Sequence, residues 1–111
     1  MTTQTGFRQD TLGSYIDKDP GAILTYSIDW SDWMPANETI ANSVMAVSTI
    51  SGDPSPMIVI EQGFQANAAV AYAELDNGSA GNIYTVTNTI TTTNGAVDVR
   101  RFRIRVVQRF L

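Results

Sequence analysis

The hydrophobic positions of this chain fall into short runs in which apolar and polar residues alternate, and turn-forming residues separate the runs. No segment keeps apolar residues at i, i+3, i+4 and i+7 for three turns. Threonine, valine and isoleucine dominate, so the pattern predicts strands. In "AILTYSIDW", Leu24, Tyr26, Ile28 and Trp30 share one face, while Thr25, Ser27 and Asp29 share the other. "TIANSVMAV" and "MIVIEQ" follow, separated by "SGDPSP", whose prolines and glycine force a loop. "ANAAVAYAEL" is read as a strand, although its alanines would also suit a helix. "NIYTVTNTITTT" and "AVDVRRFRIRVV" alternate most clearly and are joined across Asn94-Gly95. Six or seven such strands in 111 residues predict an all-β fold, an antiparallel β-sandwich of immunoglobulin type over residues 21–111. Residues 1–20 show no periodicity and are read as an extended N-terminal arm: either a frayed terminus, or a segment that orders on a neighbouring protein with Phe7, Leu12, Tyr15 and Ile16 as anchors.

The register of the last hairpin can be derived from the same pattern. A two-residue Asn94-Gly95 loop would set Phe102 opposite Thr87 and Ile104 opposite Thr85, leaving Tyr84 and Val86 on the arginine face. A three-residue loop, Thr93-Asn94-Gly95, pairs Phe102 with Val86 and Ile104 with Tyr84. A slip of one residue moves a whole strand's apolar set into water, so the three-residue loop is predicted, with Gly95 in the left-handed region. Tyr84, two residues before Val86 and after a turn-rich approach, has the layout of a tyrosine corner entering the penultimate strand; a core tyrosine without the corner hydrogen bond is the plainer alternative.

Composition removes most chemistry. The chain has no cysteine and no histidine, which excludes thiolate nucleophiles, imidazole bases and essentially all zinc chemistry. No enzyme activity and no cofactor are expected. Nor is membrane insertion, since no apolar run approaches 18 residues. The N-terminus lacks the apolar centre of a signal peptide.

The net charge of −4 hides an asymmetry. Residues 1–98 hold Arg8 and Lys18 against all eleven acids, whereas residues 99–111 hold five arginines and no acid. Either the terminus seeks nucleic acid, or the two halves attract one another, within or between subunits. Phe102, Ile104 and Val106 share one parity and Arg101, Arg103 and Arg105 the other, which is the signature of a strand. No exposed aromatic is interleaved for base stacking, so no nucleic-acid partner is expected. Three guanidiniums side by side repel, and acids on a neighbouring chain are the expected partners of Arg101, Arg103 and Arg105. Arg103→Glu is therefore expected to leave the domain folded and to weaken assembly.

Other constellations are weaker. Asp29, Trp30, Asp32 and Trp33 place aromatics beside carboxylates, as a carbohydrate-binding face would. The plainer alternative puts Trp30 in the core and Trp33 in a half-exposed loop or interface. Asp17 with Asp19 offers oxygen ligands without a surrounding loop. Asp29 with Asp32, or Glu61 with Glu74, could form a hydrolase pair, but nothing fixes their separation.

Taken together, "DKDPGAILTYSIDWSDWM" and "NIYTVTNTITTTNGAVDVRRFRIRVV" resemble the small tailed-bacteriophage virion proteins described as fiber–tail adaptors. Lys18, Asp19 and Pro20 match a Lys-Asp-Pro motif, and Ile28 to Ser31 with Trp33 match an "IDWSxWL"-like stretch. Gly81, Tyr84 to Asn88, Ile90, Gly95, Asp98, Arg100, Phe102, Ile104 and Val106 match the "GxxYTVTNxIxTxxGxxDxRSFxIxV"-like end. The resemblance spans about residues 17 to 107, with Met34 in place of leucine and Met45 where tryptophan is frequent. It implies a structural role at the neck or tail, present in multiple copies and touching tail proteins and the fiber. It also implies location in the virion after assembly in the bacterial host cytoplasm. A carbohydrate-binding or decorative sandwich on the virion surface is the alternative.

Overall fold

Period-two patterning becomes eight strands in a computed structural model of the chain, which describes residues 7–10 and 13–108. They are β1 (Arg8–Asp10), β2 (Gly13–Lys18), β3 (Leu24–Asp29), β4 (Ile40–Val47), β5 (Ile58–Gln65), β6 (Val70–Asp76), β7 (Ile83–Thr92) and β8 (Val97–Val106), and no helix occurs among the described residues. A five-stranded sheet has the order β1-β2-β8-β7-β4, and a three-stranded sheet the order β3-β6-β5. All neighbours run antiparallel except β2 and β8, which are parallel. The two sheets form a sandwich, with β3, β6 and β5 in one layer and β8, β7 and β4 in the other. The details differ from antibody domains: there is no cysteine, and the buried Trp30 follows β3 instead of lying within a strand.

The inward parity of each strand builds one core. Tyr26, Ala71, Ala73 and Leu75 come from the smaller sheet, Trp30 from the residue after β3, and Tyr84, Val86, Ile90, Ile104 and Val106 from the larger sheet, and none is exposed. Tyr26 lies directly across from Ala73, a pairing of large with small that fills a two-sheet interior without overlap. Each large apolar side chain so buried contributes about 1.5–3 kcal/mol.

The β7–β8 hairpin has the expected register: Phe102 faces Val86 and Ile104 faces Tyr84. Thr92 N donates to Ala96 O at 2.8 Å, which closes a three-residue loop, and Gly95 has φ +88°. "ANAAVAYAEL" is a strand only from Val70 onwards. Its first four residues make the turn after β5, with Ala69 at φ 55°.

Residues 13–18, inside the stretch read as an arm, form β2, of which residues 15–18 pair with residues 103–106 of β8. The reason is local: Ile16 and Lys18 point inward while Tyr15 and Asp17 point outward. Alternation over so few residues is too short to stand out in the sequence. Free edges are also managed. On β4, Met45 N donates to Gln62 Oε1 at 2.7 Å and Gln62 Nε2 donates to Met45 O at 3.4 Å, so a side chain from β5 occupies the edge.

Candidate interaction surface

The outer face of the larger sheet carries the arginine stripe, and β2 supplies much of what surrounds it. Arg105 Nε and Nη2 donate to the two carboxylate oxygens of Asp17, each at 2.9 Å. This two-point pair raises the Arg105 pKa. Arg103 Nη2 donates to Gly13 O at 3.1 Å. Both guanidiniums lie 5.7 Å from the centre of the Tyr15 ring. Arg101 is exposed and has no ion-pair partner among the described residues. Acids expected on a neighbouring chain are therefore partly supplied by the chain itself, because parallel pairing sets Asp17 beside Arg105.

Arg100 has the opposite parity and turns to the end of the core. Its guanidinium carbon sits 4.3 Å from the Trp30 ring centre, and an Nη donates to Asp29 O at 3.1 Å. Trp33 packs edge-on against Trp30 with centroids 5.5 Å apart. Trp30 is fully buried and Trp33 half-buried, so the pair does not present two open indole faces to a sugar. Asp29 is held below the usual carboxylate range, mainly by hydrogen bonds from Ser31, with Arg100 adding to the effect.

Between the free edge of β3 and the first half of β8 lies an open cleft of about 280 Å³, lined by Phe7, Ser27, Ile28, Arg100, Arg101 and Phe102 among others. Phe7 stacks edge-on against Phe102 at 5.2 Å. Two of the expected interface residues, Phe7 and Arg101, meet here. Tyr15, Arg103 and Arg105 meet on the outer face, and Trp33 stands apart near Trp30. Ile16 is 7% exposed and packs in the domain's own core, because β2 pairs into the sheet. Leu12 lies outside the described residues.

Sequence reasoning missed three polar groups that hold this surface in place. Lys18, fully buried, donates from Nζ to Asp19 O at 3.0 Å and Asn77 O at 2.8 Å, tying β2 to the turn after β6. Burial pushes its pKa down, against the pull of Asp76 and Asp19. Asn88, also fully buried, accepts from Trp30 Nε1 at 2.9 Å and donates to Ser43 Oγ and Val44 O. Asp53, in the "SGDPSP" loop, accepts from the hydroxyls of Tyr84 and Ser79 and from Ser55 N. The Tyr84 hydroxyl in turn accepts from Ser79 N at 3.0 Å, the corner expected from its position. Asp17 and Asp19 do not converge on an ion: Asp17 faces Arg105, and Asp19 Oδ1 accepts from Gly21 N at 2.9 Å.

Fold and surface together define a small β-sandwich whose buried polar groups fasten strands and loops to one another and whose charge is turned outward. The model of the podophage GP4 fiber-tail adaptor protein gp77 family matches residues 18–105, from the buried lysine through most of β8, and the chain belongs to that family. It is a structural adaptor protein of the phage tail. Among curated proteins no significant match is found.

Proposed function

We propose that the chain is a non-catalytic subunit that joins tail fibers to the tail or neck by protein–protein contacts, in several copies per particle, after assembly in the host cytoplasm. The reading is carried by the family match over residues 18–105, which spans both sheets. The physics is consistent with it. A rigid sandwich holds its edges and faces in fixed directions, as a joint between two larger bodies requires. Phe7 and the open edge of β3 offer an apolar floor and main-chain groups to an extended partner segment. Tyr15, Arg103 and Arg105 form a pre-ordered plate, and Trp33 a half-exposed aromatic.

The test is genetic and structural together. Particles assembled without this protein are expected to have tails lacking fibers, and adding the purified chain with purified fibers should restore attachment. Fibers attached normally in its absence would overturn the proposal.

A further inference from the structure

The outward faces of the two sheets differ in charge. On the smaller sheet, register places Thr25, Ser27 and Asp29 of β3, Tyr72, Glu74 and Asp76 of β6, and Glu61, Gly63 and Gln65 of β5 on the side away from the core. This face has acids and no base. Glu61 and Glu74 are direct cross-strand neighbours, a like-charge pairing that destabilises an isolated sheet. Asp76 lies within reach of Lys18, and Asp29 within reach of Arg100. Glu61 and Glu74 have no ion-pair partner among the described residues. On the larger sheet the outward positions of β8 carry Arg101, Arg103 and Arg105: Arg105 pairs with Asp17, Arg103 donates to Gly13 O, and Arg101 has no ion-pair partner among the described residues.

We infer that the occupant of the acidic face is the arginine face of a second copy of this chain, with Arg101 of one copy seated between Glu61 and Glu74 of the next. One planar guanidinium with five donors suits two adjacent carboxylates, and it removes the repulsion between them. Residues alternate along both strands with the same repeat of roughly 7 Å, so Glu74 and Asp76 on β6 match successive arginines on β8. Exposed apolar side chains flank the charges on both sides: Ile58 at 43% on the acidic face, and Ile83 at 51% and Val97 at 61% on the basic one.

The two faces look in opposite directions from one sandwich, so the contact is head-to-tail. Every copy uses both faces, and the arrangement closes as a ring or continues as a stack. A three-stranded face seven residues long measures only roughly 24 Å by 14 Å, well below what a stable pairwise interface buries. A single contact is therefore weak and salt-sensitive, and closure, in which each copy holds two neighbours, gives the assembly its stability. This inference concerns contacts between copies and does not depend on what the fiber binds.

The chain contains no cysteine, so introduced thiols report cleanly. Gln65→Cys marks the acidic face and Thr87→Cys, on β7 opposite Arg101, marks the basic one. With a short bis-maleimide at low salt, a mixture of the two single variants is expected to form mixed dimers on the order of tenfold faster than either variant alone forms like dimers. The doubly substituted chain should give a ladder of multimers. Adding Glu74→Lys should remove the excess rate, and pairing it with Arg101→Glu on the basic-face variant should recover it. Equal rates for mixed and like dimers, or an excess that survives about 1 M salt, would overturn the inference. So would failure of the charge exchange to restore the rate.

Discussion

Tyr84 organises its surroundings through a single hydroxyl, which accepts from Ser79 N and donates to Asp53. Tyr84→Phe keeps the buried ring and leaves those partners unsatisfied. It is expected to lower stability by about 1–3 kcal/mol, seen as a lower urea midpoint at unchanged slope. The same network sets an acid limb. Hydrogen bonds from Ser79, Tyr84 and Ser55 hold the Asp53 carboxyl below its ordinary range, although partial burial opposes them. A depressed folded-state pKa means the unfolded chain binds the proton first, so this stabilisation is complete above the ordinary aspartate pKa of about 3.9 and is lost as pH falls through the folded value. Denaturation of the native chain and of Asp53→Asn from about pH 6 to about pH 3 should show a weaker acid dependence in the variant. Tyr84 was legible because its role follows from position: a turn, a strand start, and an inward parity shared with Val86. Its partner Asp53 was not, being 31 residues away in a loop with no periodicity. Lys18 and Asn88 escaped for the same reason, with partners 59 and 58 residues distant.

At the scale of elements, β7 and β8 could be placed because ten-residue strands alternate long enough to fix parity, and parity then fixed the loop. Gly95 carries that loop at φ +88° with nothing near where a Cβ would stand. Gly95→Ala thus isolates the backbone cost, expected to be about 1–2 kcal/mol in a thermal or urea melt. β2 is the opposite case. Six residues, only two of them buried, cannot announce a strand, and parallel pairing with the far end of the chain leaves no turn to signal it. Its membership in the sandwich is testable. Ile16→Ala is expected to cost about 2–4 kcal/mol, as for a truncated core side chain, whereas a mere docking arm would cost far less. A close approach ties β5 to β6: a methyl group on Gly63 would overlap the Tyr72 hydroxyl, so the ring occupies the space that the glycine leaves on the outer face.

For the whole molecule, the charge asymmetry along the sequence becomes an asymmetry between surfaces. Part of it is settled within the chain, where Asp17 meets Arg105, and part is left outward at Arg101, Glu61 and Glu74. This division separates two variants that look alike in sequence. Arg101→Glu is expected to change stability by less than about 0.5 kcal/mol. Arg103→Glu removes the bond to Gly13 O and the contact with Tyr15, and should speed amide exchange across β2. The strand pattern and the family resemblance could be read from sequence because they repeat over long spans. The distribution of charge between faces could not, because it depends on which strands become neighbours.

A cryo-EM map of the assembled tail tests the central claim most directly. The account expects several copies of this sandwich between the tail body and the fibers, each with its arginine-bearing sheet against the Glu61–Glu74 sheet of the next. A map with the chain elsewhere in the particle, with no contact to the fiber, would contradict the adaptor reading. Copies at that junction that meet through any other faces would contradict the head-to-tail contact while leaving the adaptor reading in place.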